Sequence, residues 1–413
     1  MSNPSSFDSP LNLPEGWHLS RLGNIGRFTK GSGITKADLV ETGIPCVRYG
    51  ELYTNHNYVI KRFHSFINEE VAATSKRIHK GDILFAGSGE TAAEIGKCAA
   101  YLGNEEAYAG GDIIILRPEK ADAAFLGYSL NHETINRQKA KLGQGYSVVH
   151  IYPELLKKIV IPLPPLPEQR KIAAILSTWD RAIELLGKQI ATKQRLKKAF
   201  MQRLLTGKVR FPEFEEDWKE VHLGEILKSR NEKSPQSEQL QLYSLTIEEG
   251  VTPKTDRYDR EALVKEETIK EYKIVHPYDI VYNPANLRWG AIGINTFDKS
   301  VLVSPIYEVL YLRDPKQYIV ELIFAILSSP RQITKFSRFG EGTIYERISV
   351  KIKDFLSERI IIPRNYNEQH QIAAFLNRVN WEIGTLQEEQ RLYRLQKRGL
   401  MQKLLTGEVR VRV

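Results

Sequence analysis

Cysteine is scarce in this chain. Two thiols, Cys46 and Cys98, stand in 413 residues, and no cysteine pair has zinc-ligand spacing. A disulfide scaffold is excluded, and so few thiols suit a reducing compartment, the cytoplasm. Long apolar runs are missing too. No stretch approaches the roughly 18 apolar residues that span a bilayer, so no membrane partner is expected. The opening, Met1-Ser2-Asn3-Pro4-Ser5-Ser6, lacks the charged and apolar segments of a secretory signal. The nine histidines show no metal-ligand spacing, and no metal site is expected.

What is present is a globular composition. Hydrophobic residues make up 42% and charged residues 26%. Such a chain buries real cores, and its length fits about two to three domains. Basic residues outnumber acidic ones by 59 to 50, a net charge of +9. The excess is a weak pointer to a polyanion partner, and its distribution says more than its total.

An internal repeat sets the architecture. Residues 168–210 align with residues 368–410 at an offset of 200 with no gap, and about 17 of 43 positions are identical. Both copies read as one long helix. Apolar residues alternate at spacings of four and three: Ile172, Leu176, Trp179, Ile183 and Leu186 in the first, Ile372, Leu376, Val379, Ile383 and Leu386 in the second. This is a coiled-coil seam, and neither helix buries it alone. The simplest solution pairs the two copies, antiparallel, within one chain. Lys197 and Lys397 interrupt the seams at matching places. Each either fixes the register or snorkels out to water.

The helix ends are marked. Pro162, Pro164, Pro165 and Pro167 place the first start near Glu168. Pro363, then Asn365 or Asn367, introduce the second, asparagine being a good N-cap. Gly207 and Gly407 stand where left-handed C-caps belong. Before each helix lies a globule of short β-rich runs broken by Gly, Pro and Asn. Trp17 matches Trp218, Asp82-Ile83 matches Asp279-Ile280, and Ile95-Gly96 matches Ile292-Gly293. The fold class is mixed α/β, with two globules alternating with two long helices as a pseudo-two-fold repeat. The expected segments are 1–160, 161–211, 212–362 and 363–413.

At this point the chain resembles the specificity subunit of a type I restriction-modification system. The carriers are Leu13-Pro14-Glu15-Gly16-Trp17, the run Ile161-Pro162-Leu163-Pro164-Pro165-Leu166-Pro167-Glu168-Gln169, and Leu204-Leu205-Thr206-Gly207. The second lead-in, Ile361 to Gln369, has lost most of its prolines. The resemblance implies that each globule is a target recognition domain reading half of a split sequence in double-stranded DNA. It implies that the helices space the heads and dock two methyltransferase subunits, with restriction subunits added. The resemblance also implies that those partners use S-adenosylmethionine, ATP and Mg, while this chain has no catalysis and binds no cofactor of its own. Residues 188–210 carry eight basic residues and no acid, so this helix end can face phosphates or an acidic partner.

Two motifs suggest an enzyme instead. Phe85-Ala86-Gly87-Ser88-Gly89 fits the F-x-G-x-G loop of DNA methyltransferases, and Asn283-Pro284-Ala285-Asn286 begins like their N-P-P-[YF] motif. The second lacks the aromatic that stacks on a flipped base. The repeat also aligns the two motifs with each other, so they start the same loop in two heads. Gly89 to Lys97 fails as a phosphate loop, because Thr91 stands where Gly is needed.

DNA contacts come from basic, small polar and aromatic side chains on loops. In the first head the candidates are Lys30 and Ser32, Arg48 and Tyr49, Ser88, and Gln144, Tyr146 and Ser147. In the second they are Asn283, Asn286, Arg288 and Trp289, then Thr343, Tyr345 and Arg347.

Overall fold

Each head is clasped shut where its chain enters and leaves. His18–Arg21 pairs antiparallel with Val160–Leu163, and Lys219–His222 pairs antiparallel with Arg359–Ile362. These ribbons belong to a computed structural model that describes residues 13–145, 147–254, 270–339 and 349–412. The chain divides into two compact units, residues 1–187 with 388–413, and residues 188–387. These limits cut across the four expected segments. Each unit takes one head, the start of the helix that follows it, and the end of the other helix.

In the first unit the central strands are apolar on both faces. Ile83–Ala86 and Ile113–Pro118 pair within a five-stranded sheet. Side chains alternate across a strand, so Ile83, Phe85, Ile114 and Leu116 enter one core while Leu84, Ala86, Ile113 and Ile115 enter another. A second sheet has four strands, Ser65–Ile67, Ile44–Val47, Ala107–Ala109 and Lys76–Ile78 in that order.

The second unit repeats the device. Ile280–Tyr282 lies between Glu308–Leu312 and Ile292–Ile294. Ile280, Tyr282 and Leu310 face one core, and Val281 and Val309 face the other.

The first long helix is Leu166–Leu204 and the second is Tyr366–Thr406. The first begins two residues earlier than the prolines suggested. Pro167 lies in its first turn, where the missing N–H has no intrahelical partner to lose. Asn365 caps the second: its Oδ1 accepts from the Asn367 amide at 2.9 Å and the Glu368 amide at 3.4 Å. Gly207 and Gly407 have φ of +67° and +79°, the left-handed conformation of a helix C-cap.

Within each unit the helix segments run antiparallel. In the first, Trp179 meets Tyr393 edge-on at 5.4 Å, Gln390 Nε2 donates to Ile183 O at 3.0 Å, and Lys397 meets Asp180. In the second, Lys193 meets Glu382 and Phe200 meets Phe375 edge-on. The seam is not uniform. Ile172, Leu176, Ile372 and Leu376 are buried in the head cores themselves, beside Leu404 and Leu405 or Leu204 and Leu205. Leu186 and Ile383 are buried, whereas Trp179, Ile183, Val379 and Leu386 are half-buried. Two helices alone cover one stripe, and its flanks stay wet.

Lys397 settles the question its position raised. It is 5% exposed, its Nζ lies 2.6 Å from Asp180 Oδ1, and it sits 4.0 Å above the Tyr58 ring. It is a buried register pin and does not snorkel.

Candidate nucleic-acid interface

Three loops of the first head are linked by backbone and side-chain hydrogen bonds. The strand Gly26–Lys30 ends in a turn in which Gly31 N donates to Ile113 O at 2.8 Å and Ser32 N to Ala109 O at 3.2 Å. A Cβ on Gly31 would lie 2.0 Å from Gly110 O, so only glycine fits. Gly110 N in turn donates to Val47 O at 3.0 Å, which sets the turn beside Arg48. Lys30 and Ser32 are exposed there.

Arg48 precedes the short helix Tyr49–Thr54, which Tyr49 opens as an exposed ring. From the same helix Tyr53 donates its hydroxyl to Ser88 O at 3.1 Å, and Lys97 Nζ donates to Tyr53 O at 3.1 Å. The strand pair Ser88–Gly89 and Val149–His150 joins this network. His150 and Gln144 exchange two backbone bonds, of 2.7 and 2.9 Å, and close a tight loop between them. Gln144, Gly145, Ser147 and Val148 are exposed on that loop. Gly145 has a φ of +111°, and a Cβ there would stand 2.2 Å from Val148 O. Tyr146 lies outside the described residues.

Ser88 is the correction. It is 4% exposed, and its Oγ lies 2.9 Å from His150 Nδ1. The hydroxyl pins the loop from inside and does not reach the surface. Its strand, Ser88–Gly89, pairs with Val149–His150, and the hydroxyl faces the His150 ring.

In the second head the corresponding turn follows Ile280–Tyr282. Asn283 N donates to Ala291 O at 3.0 Å, and its Oδ1 accepts from the Ala285 amide at 3.1 Å. Asn283 is thus half-buried turn scaffolding, and Asn286 is exposed. A single 3-10 turn, Leu287–Trp289, ends at Gly290 with a φ of +90°. It leaves Trp289 63% exposed, with the Arg288 guanidinium 5.1 Å from the ring centre. An exposed tryptophan stacked by arginine is a surface that suits bases or sugars. Thr343, Tyr345 and Arg347 lie outside the described residues.

The two heads repeat each other at these turns. Ile151 N donates to Gly87 O at 2.9 Å, and Val350 N donates to Pro284 O at 3.0 Å. Asp82 accepts from His79 N and pairs with Arg117 through two bonds; Asp279 accepts from His276 N and pairs with Arg230. The arginine comes from a different strand in each head, but the aspartate holds the same turn. The glycine-rich and Asn-Pro motifs are therefore counterparts in two separate units. Burial pushes the Cys46 thiol up to about 12 and the Cys98 thiol to about 11, so neither is a nucleophile at neutral pH. Among the described residues no cluster of His, Cys, Asp or Glu could hold a metal ion.

The basic helix end is partly spent inside the second unit. Lys193 pairs with Glu382 and Arg210 with Glu368, and Lys197 is half-buried. Arg195, Lys198, Arg203 and Lys208 stay exposed.

Sequence reading missed the parts that hold these loops: Glu51, Tyr53, Lys97 and His150. Their partners lie on other segments, and no local pattern marks such pairs.

The family model for the type I restriction modification DNA specificity domain matches residues 14–193 and again residues 215–394. The chain belongs to this family. The type I restriction enzyme MjaVIII specificity subunit of Methanocaldococcus jannaschii is 26% identical over 432 residues, 97% of this chain and 95% of that protein. A solved S subunit of a type I restriction-modification system from M. genitalium has a similar fold, with a TM-score of 0.61 at 14% identity, covering 95% of this chain and 96% of that one. A chain from a structure describing assembly and conformational transition of a type I R-M system gives a TM-score of 0.56 at 18% identity, covering 97% and 100%. The two family domains coincide with the two heads and the helix starts that follow them.

Proposed function

We propose that this chain reads a split DNA target for a type I restriction-modification complex and assembles that complex, with no catalysis of its own. One observation carries the reading. The two heads keep the same strand, the same aspartate-held turn and the same backbone bond behind it, yet display different side chains there. Around that turn the first head exposes Tyr49, Gln144 and Ser147, and the second exposes Asn286 and Trp289. A constant frame with changed readers suits two half-sites of different sequence, because base contacts specify and the frame positions.

The long helices dock two methyltransferase subunits, which bring S-adenosylmethionine; restriction subunits add ATP and Mg. The complex works in the cytoplasm. Lys30, Ser32, Arg48, Tyr49, Gln144, Ser147, Asn286, Arg288 and Trp289 are the described side chains assigned here to DNA contact, and Arg195, Lys198 and Arg203 suit phosphates.

The test is binding of the assembled complex to DNA across a salt series. Affinity should fall steeply and linearly on a log–log plot, at about 0.9 per phosphate contact. Binding that ignores salt would count against the reading. Purified chain with S-adenosylmethionine and DNA should transfer no methyl group, and transfer without partners would overturn it.

A further inference from the structure

Arg48 is held from behind. Its Nε lies 3.3 Å from Glu51 Oε1, one helical turn on. Glu51 is 5% exposed, whereas the Arg48 side chain keeps 32% of its surface. The carboxylate is itself fixed by other segments. Ser65 Oγ donates to the same Oε1 at 2.6 Å, and His56 Nε2 stands 3.8 Å from Oε2. Burial alone would raise the Glu51 carboxyl, but His56, Ser65 and Arg48 together hold it below the usual glutamate value. It is a fixed negative charge beneath a half-exposed arginine.

The bond uses Nε, the inner edge of the guanidinium. The fork of two Nη groups is left for an acceptor outside. That fork is the shape that meets the O6 and N7 edge of guanine. A long arginine loses rotamer freedom on binding, and holding it beforehand removes that loss from the binding step.

We infer that Glu51 is a positioning residue, which fixes Arg48 so that its outer fork meets one base pair of the half-site read by the first head. This rests on the DNA-reading role proposed above. Glu51 touches no DNA itself. Its effect should therefore appear only through Arg48.

The experiment uses the chain assembled with its methyltransferase subunits. Methylation rates are measured on the cognate DNA and on DNAs with one base pair replaced at a time in both halves. Arg48→Ala should relax discrimination about tenfold or more at one base pair of one half. Glu51→Gln should relax the same base pair, by about threefold or more, and leave every other position unchanged. The double variant should be no more relaxed than Arg48→Ala alone, because the two act as one unit. Should Glu51→Gln fail to fold, Ser65→Ala, which keeps the carboxylate but frees Oε1, should relax that base pair about twofold. A uniform loss on all DNAs, relaxation at another position, or additive effects would overturn the assignment. Wild-type complex that methylates no split target would instead overturn the DNA-reading role, before any variant is compared.

Discussion

Arg410 grips Glu168 across 242 residues of chain, Nε to Oε1 at 2.7 Å and Nη2 to Oε2 at 2.9 Å. Trp17 Nε1 adds a third bond to the same carboxylate at 3.1 Å. The second unit repeats the lock with Arg210 and Trp218 on Glu368. In each unit the end of one helix is fastened to the start of the other, where the head begins. The repeat is thus mechanical as well as textual.

Breaking one lock should act locally. Arg410→Ala should raise amide exchange in residues 400–412 and 13–21 by about tenfold or more, since bonds to charged groups are strong. Residues 205–221 should be unaffected. Exchange rising equally in both places would contradict two separate locks. The pH dependence has a definite sign. Burial works against the Glu168 carboxylate, but Arg410 and Trp17 hold it below the ordinary value of 4.5. Its contribution is complete above that value and is lost as pH falls through the depressed one.

The pin at Lys397 should be costly to remove and cheap to replace. Asp180 accepts from Lys397 and from the Tyr128 hydroxyl, at 2.6 and 2.7 Å. Lys397→Ala strands a carboxylate and should cost about 3 kcal/mol in denaturant unfolding. Lys397→Met with Asp180→Asn should recover most of that loss. A double variant as unstable as the single one would show that packing, not the stranded charge, sets the cost.

Ser88→Ala should loosen only the loop it pins. Amide exchange at Gln144 and His150 should rise about fivefold, the effect of one neutral hydrogen bond. The unfolding midpoint should stay nearly unchanged. Unchanged exchange would mean that the backbone pairing alone holds the loop.

The two C-cap glycines should differ. Alanine at Gly207 meets the Trp218 ring at 3.5 Å, an ordinary contact, and should cost about 1 kcal/mol for its positive φ alone. Alanine at Gly407 would stand 2.6 Å from Pro14 Cγ, on a ring that cannot swing away. Gly407→Ala should therefore cost about 2 kcal/mol or more. Equal costs would show that Pro14 yields.

The helices were legible because the seam and the caps are local signals and the two copies align at an offset of 200 without a gap. The paired β-clasps were not legible: Trp17, Trp218 and the lead-ins recur, but nothing local says that His18–Arg21 pairs with Val160–Leu163 or Lys219–His222 with Arg359–Ile362. The site was less legible. Arg48 and Trp289 stand at the surface as side-chain chemistry suggests, but Ser88 is buried, its hydroxyl engaged by His150 62 positions away. Pro167 lies inside its helix because the first turn tolerates proline. Whether Lys397 pinned or snorkelled depended on Asp180, Tyr58 and Tyr128, three residues that only the fold brings together.

The most direct measurement is a map of methylated adenines in cells with and without this gene. Two heads on one frame predict the loss of one split motif, two short defined halves around an unspecified spacer. An unchanged methylome, or loss of a single continuous motif, would contradict the account.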